Sequence, residues 1–221
     1  MKAVIFDMDG VIFDSERAVH ALWREMAEKY GFCDVDTPYY KSIGTNKDVT
    51  RRIFLDFYGE DFNYDEYKKE QSMAYHEKYD GGRLPLKAGV FELLEYLKNE
   101  GYFTAVASST RSEVVRNQIE DAHLAKYFDR IIGGDMVEKS KPEPDIFLKA
   151  AEGVELEKIY VIEDSYNGIR AACAAGMIPI MVPDMIEPDC EMKEKAEVIL
   201  PNLLAVKKFL EGQICSEKTE K

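Results

Sequence analysis

The chain has 221 residues, 46% of them hydrophobic, which suits one large domain or one and a half ordinary ones and is too apolar for a disordered chain. Its formal net charge of −13 excludes a general nucleic-acid or anionic-membrane surface, since both need basic patches. A small phosphorylated substrate remains compatible, because a few local Lys or Arg can hold one inside an acidic protein.

The first strand is Val4-Ile5-Phe6, ending in Asp7. The stretch from Met1 to Asp9 lacks the basic start and apolar run of a signal peptide, and no apolar run approaches the ~20 residues of a membrane span. From about Ser15 to Arg83 the pattern is helical. Ala18, Val19, Leu22, Trp23, Met26, Ala27 and Tyr30 make one stripe stopped by Gly31, and further helices are predicted from Asn46 to Tyr58 and from Asp65 to Tyr79. This is too much chain for one crossover. It reads as an inserted helical domain hinged near Phe13-Asp14-Ser15 and Gly81-Gly82-Arg83.

Strands and helices then alternate. Val90 to Leu97 is a helix closed by Gly101, and Phe103 to Ala107 is a strand ending in Ser108. Val114, Val115 and Ile119 mark a helix. Arg130-Ile131-Ile132 is a strand ending in Gly133-Gly134, and Ile159 to Ile162 is one ending in Glu163-Asp164. Ile169, Ala172, Cys173 and Gly176 form a small-residue helix face, followed by strands at Ile178–Val182 and Val198–Leu200. Short apolar runs between helical patterns predict an α/β fold with a mainly parallel sheet. The expected division is an α/β core over 1–14 and 84–212, the helical insertion over 15–83, and a polar, frayed tail over 213–221. Cys33, Cys173, Cys190 and Cys215 lack CxxC spacing and read as free thiols of a soluble cytoplasmic protein.

Ligands of an open parallel sheet bind at the carboxyl ends of its strands. The residues there are Asp7, Ser108, Asp164 and, in the loop after the third strand, Lys141. Asp7 and Asp9 flank Met8 as the chain leaves a buried strand, and Gly10 permits a sharp turn. A carboxylate can attack phosphorus to give an acyl phosphate, while a second carboxyl protonates the leaving alkoxide and later deprotonates water. Two anions facing an anionic substrate require a divalent cation, and oxygen donors suit Mg2+. Asp164 supplies another carboxylate, and Lys141 neutralises charge on the transferring phosphoryl group.

Four segments resemble the motifs of the haloacid dehalogenase superfamily, in its branch of phosphatases and phosphosugar mutases with a small helical cap. They are Val4 to Val11, Ala105 to Ser108, Ser140 to Phe147 and Val161 to Ile169, in order and spanning nearly the whole chain. The resemblance implies a Rossmann-like parallel sheet core with an inserted α-helical cap. It implies Asp7 as nucleophile and metal ligand, and Asp9 as general acid/base with its backbone carbonyl on the metal. Ser108 is implied as a phosphoryl hydrogen-bond donor and Lys141 as partner of Asp7 and the phosphoryl group. Asp164 is implied as a Mg2+ ligand, and Glu163 as one directly or through water. Ser109 and Thr110 either touch phosphate or cap a helix.

The activity so implied is a Mg2+-dependent phosphatase acting on a small phosphorylated metabolite, such as a sugar or polyol phosphate, in a monomer or weak dimer. The alternative is a β-phosphoglucomutase-type mutase, whose cap histidine aligns with Val19, one step from His20. Asp9 argues against dehalogenase and phosphonate hydrolase chemistry, and the intact site argues against a non-catalytic ligand sensor. In the cap, the loop Gly44-Thr45-Asn46-Lys47 either samples substrate or is a helix cap with a solvated lysine. His20 reads as a half-exposed helix residue or a cleft residue, Trp23 as cap core, and His76 and His123 as residues without identifiable partners.

Overall fold

The computed structural model describes residues 2–45, 47–154 and 158–219, with side chains through 213. The chain divides into two compact units, one of residues 1–13 and 86–221, the other of residues 14–85. Strand β1 (Lys2–Phe6) opens the first unit. Among the described residues, the second unit follows with α1 (Ser15–Tyr30), α2 (Asp36–Ser42), α3 (Lys47–Tyr58) and α4 (Tyr64–Tyr79). The first unit then resumes with α5 (Val90–Asn99), β2 (Phe103–Ser108), α6 (Ser112–Asp121), β3 (Arg130–Gly133), α7 (Asp145–Ala151), β4 (Lys158–Glu163), α8 (Tyr166–Ala174), β5 (Ile178–Met181), α9 (Cys190–Lys195), β6 (Val198–Ile199) and α10 (Leu203–Thr219).

The sheet is parallel throughout, in the order β3-β2-β1-β4-β5-β6. The chain builds outward from β1 through β2 to β3, then crosses to the other side of β1 and continues with β4. That reversal opens a crevice beyond the carboxyl ends of β1 and β4. Residues alternate between the faces of a strand. Ala3 and Ile5 of β1 therefore join Phe103, Ala105 and Ala107 of β2 and Val161 of β4 against Ile146, Phe147 and Ala150 of α7 and Ala171 and Ala172 of α8. The small side chains of α8 bring that helix close to the sheet. Among the described residues, no helix is long and apolar enough to cross a membrane.

The helical unit packs around aromatic rings. Trp23 is buried and lies 4.8 Å from Phe54 and 5.9 Å from Tyr64 between ring centroids, which makes it core. His20 is buried rather than half-exposed. Its Nε2 lies 2.7 Å from Asp36 Oδ1, and its ring stacks on Tyr39 at 4.6 Å, because α2 covers that side of α1. Helix α2 is not among the sequence expectations: it has seven residues and no apolar period long enough to register. His76, expected to lack a partner, faces Asp80 one turn on, with Nδ1 at 3.1 Å from the carboxylate. Lys47 is the exposed first residue of α3, and Asn46, expected to start that helix, lies outside the described residues. The backbone of α10 stays helical through Thr219 where a frayed tail from Gln213 is expected, since Gln, Glu and Lys are good helix formers.

Candidate active site

Strand register brings the acidic residues together. Phe6 pairs with Ile162, so the residues that follow them, Asp7 and Glu163, lie side by side where the two strands end. The Asp7 N–H extends the ladder by donating to Ile162 O at 2.9 Å. The chain then turns tightly: Gly10 N–H donates to Phe13 O, and Ile12 and Phe13 N–H both donate to Met8 O. Met8, Val11, Ile12 and Phe13 are buried, so this loop is pinned by apolar side chains while the carboxyls of Asp7 and Asp9 meet Lys141 and Thr110. Gly10 has a φ of 78°, and a Cβ there would lie 2.2 Å from Asp164 Oδ2. A side chain at position 10 is barred both by conformation and by the neighbouring acid.

Lys141 reaches into the same place from the loop after β3. Its Nζ donates to Asp7 Oδ1, to Glu163 Oε1 at 2.6 Å and to Ala107 O at 3.2 Å, which ties together the ends of β1, β4 and β2. The second oxygen of Glu163 accepts from Asp164 N–H and Ser165 N–H, both at 3.1 Å, and from Ser165 Oγ at 2.9 Å. Glu163 is fully buried, and these donors satisfy both of its oxygens. Ser165 also caps α8, its Oγ accepting from Gly168 N–H at 3.1 Å. Its part in holding Glu163 is absent from the sequence expectations, although a Ser just before a helix is the usual sign of an N-cap.

Ser108, at the end of β2, is buried, and its Oγ lies 3.4 Å from Asp9 Oδ2. Thr110 Oγ1 donates to that same oxygen at 3.1 Å. Of the two residues left between phosphate contact and helix capping, Ser109 is exposed and Thr110 is directed to Asp9. Helix α6 begins at Ser112 with Arg111 at its cap position, so neither is the cap.

Burial is the main reason the Asp7 carboxyl lies well above the ordinary carboxylate range. Lys141 opposes that rise, and Glu163 and Asp9 add to it. Burial alone would lower the Lys141 ammonium, but Asp7 and Glu163 overcome it and keep it charged, above the ordinary lysine value. Oxygens of Asp7, Glu163 and Asp164 all lie within 4.8 Å of one another. Among the described residues, the Lys141 ammonium is set against the carboxyls of Asp7 and Glu163, with those of Asp164 and Asp9 beside them. This surplus of negative charge on hard oxygen donors fits a divalent cation. An electrophile with its own anionic oxygens meets, in one crevice, a carboxylate, an ammonium, a hydroxyl and a second carboxyl.

The family model of the haloacid dehalogenase-like hydrolases matches residues 4–182. A phosphorylated carbohydrates phosphatase of Thermotoga maritima is 32% identical over 183 residues, covering 80% of this chain and 82% of that one. The β-phosphoglucomutase of Bacillus subtilis is 30% identical over 222 residues, covering 90% and 92%. The crystal structure of a HAD-family hydrolase of Entamoeba histolytica superposes with a TM-score of 0.73 at 27% identity, over 93% of this chain and 95% of that one.

Proposed function

The chain belongs to the haloacid dehalogenase-like hydrolase family, and from that premise we propose that it is a phosphatase that frees a small sugar or polyol from its phosphate through an aspartyl phosphate on Asp7. The observation that carries this reading is the Lys141 ammonium held between Asp7 and Glu163 at the strand ends. It orients the Asp7 carboxylate and presents positive charge where phosphoryl oxygens would lie.

In the first step an Asp7 oxygen bonds to phosphorus as the ester P–O bond breaks. Asp9 gives its proton to the departing sugar oxygen. In the second step Asp9 takes a proton from water, whose oxygen bonds to phosphorus as the aspartyl P–O bond breaks. Phosphate leaves and both carboxyl groups return to their starting state. Ser108 donates a hydrogen bond to a phosphoryl oxygen, and Lys141 neutralises the charge that develops there.

Hydrolases of this family generally use a divalent metal, and here the residues that would hold Mg2+ are Asp7, Asp164 and the backbone carbonyl of Asp9, with Glu163 directly or through water. When bound, the ion supplies further neutralisation of the phosphoryl oxygens. The four hydrogen-bond donors on Glu163 support a main role in holding Lys141.

The sugar-phosphate class is supported by the similarity to the Thermotoga maritima phosphatase. Free thiols at Cys33, Cys173 and Cys190 support a reducing, cytoplasmic setting. The mutase reading is weaker, because His20, the histidine it would call on, is buried and engaged by Asp36 and Tyr39.

The test is phosphate release from a panel of phosphorylated metabolites, with Mg2+ and with chelator, alongside an assay for phosphosugar isomerisation. Phosphate release that requires the metal is expected. Isomerisation without net release would overturn the phosphatase reading.

A further inference from the structure

Asp9 receives two hydroxyl groups on one oxygen. The Thr110 contact is the firmer at 3.1 Å, since Ser108 Oγ stands off at 3.4 Å while accepting the Thr110 N–H at 3.1 Å. A hydroxyl on a flexible loop would say little, but this loop is clamped by the exit of β3. Gly134 N–H donates to Thr110 O at 2.8 Å. A Cβ on Gly134 would lie 2.3 Å from Ser109 O, so only glycine lets the two segments run this close. One residue on, the Asp135 carboxylate accepts from Ser112 N–H at 2.6 Å and Ser112 Oγ at 2.9 Å. The backbone N–H and hydroxyl of Ser112 hold that carboxyl below its ordinary value. Residues 108–112 are therefore fixed at both ends, and the Thr110 hydroxyl is delivered to Asp9 by a rigid frame.

We infer that Thr110 is a positioning residue for proton transfer: its hydroxyl anchors Asp9 by Oδ2, so that Oδ1 is the oxygen that exchanges the proton with the leaving group and then with water. The inference rests on Asp9 being the general acid of the proposed phosphatase reaction. Without the anchor, the Asp9 carboxyl rotates among its rotamers, and productive orientations become a minority. Protonation matters most for a poor leaving group. An alkoxide from a sugar needs the proton as the P–O bond breaks, whereas a nitrophenolate departs without it. The ratio kcat/KM reports only the steps through that bond cleavage, and so isolates the acid role from the later attack of water.

The experiment measures kcat/KM for the best hexose phosphate of the panel and for p-nitrophenyl phosphate, in wild type, Thr110→Val, Thr110→Ala, Thr110→Ser and Asp9→Asn, each checked for a native melting curve. Thr110→Val keeps the β-branched shape and deletes the hydroxyl, and Thr110→Ala serves if the valine variant does not fold. General acid–base catalysis is worth on the order of 100- to 10,000-fold, and loss of one anchor should forfeit roughly 10-fold of it on the hexose phosphate. The aryl phosphate should change by less than about 2-fold, and Thr110→Ser should restore the hexose phosphate rate. Equal losses on both substrates, or no loss on either, would overturn the inference. Asp9→Asn separates the two levels of the argument. If it is selective for the hexose phosphate while the Thr110 variants are not, the positioning role alone fails. If it shows no leaving-group selectivity, the assignment of Asp9 fails, and the inference with it.

Discussion

In the helical unit the arginine ion pairs lie in water: Arg51 meets Asp65 with side chains 47% and 70% exposed, and Arg24 meets Asp36 at 58% and 38%. In the sheet unit the Lys141 ammonium meets Glu163 with side chains 7% and 0% exposed. The helical unit is held instead by rings, with Trp23, Phe54, Phe62 and Tyr64 stacked or tilted on one another. Water screens an exposed pair, and such pairs contribute little to stability. A buried pair keeps most of its Coulomb energy and leaves a bare charge when one partner goes. The contrast teaches where chemistry is placed. A parallel sheet sends side chains from distant parts of the chain to one desolvated edge, whereas the helices around the aromatic core keep these arginine pairs at the surface.

The largest effect should come from the proposed nucleophile. Asp7→Asn should reduce turnover to below about 1% of wild type, because covalent catalysis loses orders of magnitude without its attacking group. Circular dichroism should show a native fold, since Asn keeps the shape of Asp7. Residual turnover well above that level would remove Asp7 from the nucleophile's role.

Next in size is the stability difference between a buried and an exposed charge. Lys141→Met leaves Asp7 and Glu163 without their counter-charge and should destabilise the fold by about 3–5 kcal/mol in urea melts. Arg51→Ala, its exposed counterpart, should leave the urea midpoint unchanged within error. Similar shifts for the two variants would erase the contrast drawn above.

A third measurement sharpens the charge surplus at the strand ends. Mg2+ at 100 times its dissociation constant should raise the stability of the wild type by roughly 2.7 kcal/mol, through binding to the folded state alone. Asp164→Ala should need far more Mg2+ for the same rise in melting temperature, and Ca2+ should inhibit turnover, because its larger and looser shell misplaces the reacting groups. A melting temperature insensitive to Mg2+ would sink the metal site without reference to activity.

The smallest effect lies in the helical unit. Arg24, chiefly by its hydrogen bonds and with help from His20, lowers the Asp36 carboxyl from 3.8 to about 2. A depressed folded-state value stabilises above the unfolded value and is lost below it. The Asp36 contribution is therefore complete above pH 3.8 and fades as the pH falls toward about 2. In urea melts from pH 5 to pH 2, Asp36→Asn should flatten part of the acid loss of stability. Identical slopes for variant and wild type would show that water screens the pair completely.

Much of the core could be read directly from the chain. Buried parallel strands are short continuous apolar runs, and those ending at Asp7, Ser108, Gly133 and Glu163 appear as β1, β2, β3 and β4. The acids at their ends stand out because a charged residue closing an apolar run has few structural uses. Trp23 belongs to a stripe long enough to place it in a core, whereas α2 is a single short helix whose apolar residues show no period. Tertiary structure alone decided which polar groups far apart in the chain meet. Lys141 and Asp7 are 134 residues apart in sequence, and Thr110 and Asp9 are 101 apart. Local pattern reports which side of a helix or strand is apolar. It carries no information on which hydroxyl meets which carboxylate, because that depends on strand register, on Gly134 letting β3 crowd the loop after β2, and on the reversal of strand order at β1 that sets β4 beside it.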